Sequence, residues 1–279
     1  MTQVREQTLS AADGTPLFVA DWPIDTSAAA SRGIVLMHGL GEHCGRYARL
    51  ARFFNECGYS VRAYDHRGHG RSGGARGDAP DADAIMRDAN FVIENFARGL
   101  AAPPLLLGHS MGGLFAACYA VRALSPLGGL ILSSPALRIK LSGAQRLLLQ
   151  ILGAITPGLG IPNGLQSRYL SHRQDVVDAY DSDPLVHRKI SARLLRAMLQ
   201  AIEVAHAQTA RIAVRTLLVV AGDDHLVDAS GSEDFFRKLA PGAGTMHSYP
   251  GYYHEVFNEA EAGRVFDDLR TWLATLRAT

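Results

Sequence analysis

The stretch LeuLeuLeuGlyHisSerMetGlyGly, residues 105–113, places the pattern Gly-x-Ser-x-Gly between an apolar run and a segment with helical periodicity. As five residues alone the pattern fits any tight turn. Between a strand and a helix, however, it is typical of a sharp turn that projects the serine hydroxyl from the end of a sheet. Gly108 and Gly112 would let the strand and the helix pass closely, because neither residue carries a Cβ. The stretch therefore predicts a nucleophilic Ser110 in an α/β fold.

Short apolar runs alternate with helical patterns on both sides of this stretch. Such runs are typical of strands buried on both faces, and the intervening helices complete βαβ units. AspGly at 13–14 predicts a hairpin between the first two runs. We predict a mostly parallel central sheet flanked by helices. The predicted strands are 4–9, 17–22, 33–37, 59–64, 104–107, 129–132 and 214–220, and the predicted helices are 46–57, 81–98, 111–124, 230–239 and 260–277.

Residues 135–210 interrupt the alternation. They show helical patterns and no convincing strand, with breaks at 156–164 and 181–184. A chain of 279 residues is an ordinary length for one α/β domain with an insertion. We therefore predict an α/β core formed by residues 1–134 and 211–279, with residues 135–210 as a helical cap, or lid, inserted between two sheet strands.

Composition narrows the class of protein. Lys and Arg total 28 against 27 Asp and Glu, so no excess of positive charge is available for nucleic acid. The longest apolar stretch, 147–155, is shorter than the roughly 20 residues that span a bilayer. The N-terminal residues lack a secretory pattern, and three cysteines without metal-ligand spacing fit a reducing compartment. We expect a cytoplasmic protein whose cap makes transient contact with a membrane surface; its oligomeric state stays open.

A serine nucleophile in this fold requires an acid and a base that follow it in the order Ser, Asp or Glu, His. Asp224 follows the last predicted strand, and His254 follows a further short run. Both would lie at the carboxyl edge of the sheet, where open α/β sheets bind ligands. His254 would take the proton of Ser110, and the acid would orient His254. Asp223 and Asp228 are alternatives to Asp224 in the orienting role.

HisGlyLeuGly at 38–41 follows another predicted buried strand. A backbone amide in this loop, which we assign to Leu40, and the amide of Met111 after the nucleophile would bind the negatively charged oxygen of a tetrahedral intermediate. We interpret His38 as a hydrogen-bonded core residue that shapes the loop.

Two further groups have ordinary interpretations. AspHisArgGlyHisGly at 65–70 contains two histidines but lacks other ligands at metal-binding spacing, so we interpret it as a polar turn. Cys44 lies beside the predicted oxyanion loop, where a small buried residue is the simpler interpretation. No metal and no organic cofactor is expected.

Four blocks of sequence resemble the monoacylglycerol lipases and their bacterial lysophospholipase-like relatives in the α/β-hydrolase superfamily. The blocks are HisGlyLeuGlyGluHisCysGlyArgTyr at 38–47, AspHisArgGlyHisGlyArgSer at 65–72, GlyHisSerMetGlyGly at 108–113 and TyrAspSerAspProLeuVal at 180–186. GluHis followed by GlyArgTyr, and SerAspPro within the insertion, are the features most particular to this group. The resemblance runs from about residue 10 to the C-terminus.

The resemblance implies a helical cap, an apolar tunnel for an acyl chain and a small polar pocket for glycerol. It implies that Ser110, Asp224 and His254 form the triad, which selects Asp224 among the three aspartates. It also implies that the amides of Leu40 and Met111 form the oxyanion hole, and that Glu42 and Arg46 lie at the glycerol end. The sequence departs from some animal members at Val227 and Phe257, where they carry cysteine and histidine.

The sequence thus predicts a serine carboxylester hydrolase that acts on a lipid ester, foremost a monoacylglycerol lipase that releases a fatty acid and glycerol through an acyl-enzyme. A lysophospholipase or a general short- or medium-chain carboxylesterase is the alternative within enzymes. A non-catalytic ligand-binding member of the fold and an acyltransferase are the alternatives from other classes.

Overall fold

The computed structural model describes residues 3–24 and 32–276. In the described part of the chain the strands are β1 (Arg5–Ser10), β2 (Pro16–Trp22), β3 (Arg32–Met37), β4 (Tyr59–Tyr64), β5 (Leu105–His109), β6 (Gly129–Ser133), β7 (Gly160–Pro162), β8 (Lys189–Ser191), β9 (Thr216–Ala221) and β10 (Gly244–Tyr249). One sheet has the order β1-β2-β4-β3-β5-β6-β9-β10, and its strands from β4 to β10 are parallel. The predicted mostly parallel sheet is confirmed.

Helices cover both faces of this sheet. The α-helices are α1 (Ala48–Glu56), α2 (Ala84–Ala97), α3 (Met111–Arg122), α4 (Gly143–Ile155), α5 (Gln174–Ser182), α6 (Ala192–Gln208), α7 (Ser230–Arg237) and α8 (Gly263–Thr275). The core under α2, α3, α6 and α7 lies on one face, and the core under α1 and α8 lies on the other. Alternate residues of one strand serve the two cores, as Val35 and Leu36 of β3 do. Burial on both faces explains the continuous apolar runs.

The sheet brings the predicted site residues to one edge. Parallel strands all end on the same side, so the residues that follow β3, β5, β9 and β10 gather there. Most predicted elements match to within three residues at each end, except that residues 44–47 form a 3-10 turn before α1 begins. Residues 1–2, 25–31 and 277–279 of the predicted core, which include residue 277 of the last predicted helix, lie outside the described residues.

The segment between β6 and β9 contains α4, α5 and α6, as its helical pattern predicts. The expectation that it holds no strand is wrong. β7 and β8 pair in antiparallel fashion, with Gly160 opposite Ser191 and Pro162 opposite Lys189. Strands of three residues are too short to show alternation, and glycine and proline are poor strand formers, so the sequence carries no local signal for this pair. We call residues 135–210 the cap.

No helix in residues 3–24 and 32–276 is both long enough and apolar enough to cross a membrane.

Candidate active site

Ser110 occupies a strained turn between β5 and α3. Its backbone φ is 53° and its ψ is −118°, a conformation that residues with a side chain rarely adopt. The turn is fixed from both sides, because the Ser110 amide donates to the Ser133 carbonyl (3.0 Å) and the Ser110 carbonyl accepts from the Ala136 amide (2.9 Å). Neighbouring segments thereby hold the serine at the carboxyl edge of the sheet.

The two glycines of the pattern are required by close backbone contacts. A Cβ on Gly108 would lie 2.3 Å from the carbonyl oxygen of Gly112, and a Cβ on Gly112 would lie 2.2 Å from the carbonyl oxygen of Met37. Both distances are far below van der Waals contact with atoms of the backbone, which cannot move aside. The strand, the turn and the helix can therefore pack this tightly only with glycine at both positions.

Asp224 and His254 meet in the structure although 30 residues separate them. His254 Nδ1 lies 2.7 Å from Asp224 Oδ2, and both side chains are almost completely buried. The other carboxylate oxygen of Asp224 accepts the amides of Leu226 (2.9 Å) and Val227 (3.0 Å). Asp224 is therefore held in place by its own loop while it pairs with the imidazole.

The alternative carboxylates have other partners. Asp228 accepts from the Ser230 hydroxyl (2.6 Å) and pairs with Lys140 (3.0 Å). Asp223 is half-exposed and lies 3.3 Å from His225. Of the three aspartates, only Asp224 contacts His254 within the described residues.

The contact between Asp224 and His254 changes the pKa of both groups. Burial alone would lower the pKa of His254, but the charge and the hydrogen bond of Asp224 raise it above its usual range. Burial would likewise raise the pKa of Asp224, but the His254 charge and hydrogen bond hold it below its usual range. His109, whose ring centroid lies 4.7 Å from that of His254, is buried beside this charge. Its pKa is lowered to about 4 by burial and by His254.

Ser110 and His254 line one cavity, together with Leu40 and Met111. The Ser110 hydroxyl makes no hydrogen bond to His254 within the described residues; in enzymes without substrate such bonds are often long and tighten when substrate binds. The loop after β3 approaches the serine closely, since a Cβ on Gly39 would lie 3.2 Å from Ser110 Cβ. The amides of Leu40 and Met111 donate to no other described residue. Met111 opens α3, where the first amides have no partner within the helix.

A buried ionic network forms one wall of the cavity. Arg46 donates to Glu42 and makes two bonds to Glu255, of 2.6 and 2.9 Å. The second oxygen of Glu42 accepts the Gly39 amide (2.6 Å) and the Tyr47 hydroxyl (2.7 Å). Burial would raise the pKa of Glu42, but the Arg46 charge and these hydrogen bonds lower it to about 2. Two carboxylates thus share one guanidinium in the cavity that Ser110 also lines.

Glu42 and Arg46, which the resemblance places at the glycerol end, both line the cavity; Glu42 is buried and the Arg46 side chain is 12% exposed. Glu255, which completes their network, was missed by sequence reasoning. Its position directly after His254 was the one available signal, because the histidine fixes the neighbouring residue near the same site. Tyr180 of α5, whose ring lies 4.9 Å from the Arg46 guanidinium, was also missed as a contact.

The rest of the cavity belongs largely to the cap, whose lining is rich in apolar side chains and also includes Lys140, Gln145, Asn163 and Gln166. Its volume is about 300 Å³, at the lower end of the range of small-molecule sites. The cap helices α4 and α6 contribute Leu148, Leu149, Leu152, Leu195 and Met198. The cavity therefore has a charged end, beside Ser110, and walls beyond it to which α4 and α6 contribute apolar side chains.

The histidines of the polar turn at 65–70 pack against another histidine in the protein interior. His66 and His69 are buried against His38, whose Nε2 accepts the His66 amide (2.9 Å) and whose Nδ1 donates to the Gly39 carbonyl (2.7 Å). His38 thus links the turn to the loop after β3. No group of three or more His, Cys, Asp or Glu residues within the described residues could hold a metal ion.

Comparison with known proteins decides the family. The family model described as serine aminopeptidase, S33, matches residues 28–261. The chain belongs to the serine aminopeptidase S33 family. This S33 hydrolase is 36% identical to the monoacylglycerol lipase of Mycolicibacterium smegmatis over 284 aligned residues, which cover 97% of each chain. It is 36% identical to the phospholipase YtpA of Bacillus subtilis over 255 residues, which cover 90% of this chain and 97% of that protein.

A solved structure supports the same placement. The monoacylglycerol lipase of Paleococcus ferrophilus is 35% identical, with a TM-score of 0.83 over 93% of this chain and 99% of that one. The predicted resemblance, the α/β-hydrolase fold and the prediction of a serine ester hydrolase are confirmed by these similarities.

Proposed function

We propose that this S33 hydrolase cleaves monoacylglycerols with medium or long acyl chains into a fatty acid and glycerol. The observation that carries the proposal is the single cavity in which Ser110 and the Asp224-paired His254 lie at a polar end, below apolar walls from the cap. At about 0.8 kcal/mol per buried methylene, a twelve-carbon chain would contribute roughly 9 kcal/mol gross to binding. The acyl chain would therefore supply most of the affinity.

The proposed mechanism assigns one role to each residue. His254 removes the proton of Ser110, and Ser110 Oγ attacks the ester carbonyl. The resulting oxyanion accepts hydrogen bonds from the amides of Leu40 and Met111. His254 then donates the proton to the departing glycerol oxygen, and water hydrolyses the acyl-enzyme by the same steps. Asp224 keeps the imidazole in the tautomer that presents Nε2 to the serine.

The charge at the polar end favours a neutral alcohol over a phosphate head group. Glu42 and Glu255 carry two negative charges against the single positive charge of Arg46, so a phosphodiester would be repelled. We therefore place glycerol at Glu42 and Arg46, and treat lysophospholipase activity as the second candidate. The relative YtpA is named a phospholipase, which is the specific reason to test it.

The same network argues against cleavage of amino-terminal residues from peptides, the activity that the family's name denotes. Both oxygens of Glu42 are bonded, and those of Glu255 are occupied by Arg46 and by Asn258 (2.8 Å). Because both carboxylates already pair with the Arg46 guanidinium, an incoming ammonium would have to compete with a bound cation.

The cap also presents an apolar surface to the outside. Leu147, Leu148, Ile151 and Ile155 of α4 are between 46% and 73% exposed. We infer that residues 135–210 act as a lid whose α4 touches a lipid surface while substrate enters. In a flotation assay with phosphatidylcholine vesicles, the wild type should float with the vesicles. The double variant Ile151→Glu/Ile155→Glu should stay in the unbound fraction. Equal flotation of the two proteins would remove this part of the proposal.

A substrate panel tests the main proposal. The purified protein is assayed on acetyl, butyryl and lauroyl glycerol, on lauroyl lysophosphatidylcholine and on an aminoacyl anilide. We expect the highest kcat/KM on lauroyl glycerol, and covalent labelling by an alkyl fluorophosphonate that Ser110→Ala abolishes. Higher activity on acetyl or butyryl esters, on the lysophospholipid or on the anilide would overturn the assignment. Transfer of the acyl group to added alcohols in preference to water would indicate an acyltransferase.

A further inference from the structure

The two motifs most particular to the family resemblance contact each other in the structure. GluHis at 42–43 belongs to the core loop after β3, and SerAspPro at 182–184 belongs to the cap. His43 Nε2 donates a hydrogen bond of 2.8 Å to Asp183 Oδ2. Neither side chain lines the cavity that contains Ser110. The contact therefore has no place in substrate binding as described above.

Both partners are held in defined orientations. His43 Nδ1 accepts the Gly45 amide (3.2 Å), which leaves the proton on Nε2 and aims it at Asp183. The other oxygen of Asp183 accepts the Leu185 amide (2.8 Å). Partial burial would raise the pKa of Asp183, but the hydrogen bonds from His43 and Leu185 hold it below its usual range. A fixed donor thus meets a fixed acceptor across the boundary between core and cap.

A second contact joins the cap to the same loop. The His187 amide of the cap donates to the Gly41 carbonyl (2.8 Å). A Cβ on Gly41 would lie 2.4 Å from the His187 carbonyl oxygen, so the two backbones touch directly. We call residues 38–43 the oxyanion loop. Leu40 therefore lies between two fixed residues of this loop. On one side the Gly39 amide donates to the Glu42 carboxylate, and on the other the Gly41 carbonyl accepts from the cap.

We propose that His43 and Asp183 are positioning residues through which the cap sets the geometry of the oxyanion loop, so that the Leu40 amide donates to the oxyanion only while this contact holds. The inference rests on the proposed function, because it assumes that Leu40 is the oxyanion donor. Hydrogen bonds of this kind depend steeply on donor position, and complete loss of one oxyanion donor costs about 10²–10³ in kcat. A displaced donor costs part of that factor.

The variants distinguish an effect on the geometry of the oxyanion loop from an effect on folding stability. Asp183→Ala removes the acceptor, whereas Asp183→Asn keeps an oxygen for His43. His43→Asn keeps an acceptor for the Gly45 amide but is too short to reach Asp183. Arg193→Gln is the matched control, because it breaks another cap-to-core ion pair, with Asp78, that does not touch residues 38–43. Melting temperatures of all variants report folding.

Two inhibitors provide the decisive readout. In an alkyl trifluoromethyl ketone, Ser110 Oγ adds to the carbonyl carbon, the serine proton passes to His254, and the carbonyl oxygen becomes the oxyanion. A fatty alcohol of equal length binds the cavity without forming an oxyanion. We expect Asp183→Ala and His43→Asn to lower kcat about tenfold to a hundredfold with little change in KM, and to weaken the ketone by the same factor. Their affinity for the alcohol should stay unchanged.

Asp183→Asn should restore activity to within about threefold of the wild type, and the double variant His43→Asn/Asp183→Ala should be no worse than either single one, since both remove one interaction. Equal weakening of ketone and alcohol, unchanged kcat in Asp183→Ala, or an equal defect in Arg193→Gln would overturn the inference. Failure of the proposed function has a different signature: the wild type itself would not bind the ketone, or Ser110→Ala would keep its activity.

Discussion

Asp224 Oδ2 lies 2.7 Å from His254 Nδ1, whereas the neighbouring Asp223 and Asp228 bond to other groups. Asp224 does not line the cavity, so its effect on substrate must pass through the imidazole. Because Asp224 lies outside the cavity, its role can be tested by substitution without disturbing the binding site.

Replacement of Asp224 by asparagine should lower kcat by about 10⁴, because the amide would stabilise the wrong tautomer of His254. KM for lauroyl glycerol should change little. Asparagine keeps an oxygen for the Leu226 and Val227 amides, so the loop should remain folded. Steady-state kinetics check the result, with Asp228→Asn and Asp223→Asn as controls that retain activity. A comparable loss in either control would place the orienting acid elsewhere.

The dependence of kcat/KM on pH should follow the titration of His254. In the proposed mechanism the neutral imidazole is the base, so activity should fall as the pH drops through its pKa. Since Asp224 raises that pKa, the midpoint of the acidic limb should lie above about 6.5, the ordinary value for histidine. The residual activity of Asp224→Asn should show a midpoint at lower pH, because the raising charge is gone. A profile on a water-soluble ester measures both; identical midpoints would contradict this account.

The length of acyl chain accepted should depend on the cavity face of α4. Leu152→Trp places a larger side chain in the cavity and would displace about three methylenes, worth ~2.4 kcal/mol or about 50-fold in the ratio of kcat/KM for lauroyl over butyryl glycerol. Ile151 lies on the same helix but outside the cavity lining, at 47% exposure. Ile151→Trp should leave the ratio unchanged. Similar effects of the two substitutions would show that the acyl chain binds elsewhere.

Gly112→Ala should destabilise the fold as well as the site. The added Cβ would meet the Met37 carbonyl at 2.2 Å, and overpacking of this kind costs about 1–3 kcal/mol or more. Gly143→Ala is the control, since a Cβ at this first position of α4 meets nothing within 4 Å. It should stabilise by about 0.4–1 kcal/mol through a less flexible unfolded chain. Thermal unfolding measures both changes, and equal melting temperatures would refute the packing argument.

Local pattern explains which parts of this molecule could be predicted. Strands such as β5 and β9 are buried on both faces, so their apolar runs are continuous in the sequence. The turn at Ser110 is recognisable because its close packing requires glycines on both sides. The order of Ser110, Asp224 and His254 follows from the order of the strands. The choice of Asp224 over Asp223 and Asp228 needed the family resemblance, because all three lie in one loop.

Contacts between distant residues explain what could not be predicted. Glu255 and Arg46 are 209 residues apart, and nothing near either one indicates that they pair. The strands β7 and β8 depend on pairing between Gly160 and Ser191 rather than on their own composition. The motifs around His43 and Asp183 were each conspicuous in the sequence. Their contact became visible only when the fold brought the cap onto the oxyanion loop.

The positive φ of Ser110 places backbone strain at the residue that we propose as the nucleophile. Glycine adopts this conformation freely, so Ser110→Gly would release backbone strain of about 1–3 kcal/mol, offset by about 0.5–1 kcal/mol from the greater freedom of glycine in the unfolded chain. The inactive variant should therefore melt at a higher temperature than the wild type. If Ser110 is the proposed nucleophile, thermal stability and activity make opposite demands on the residue at this position.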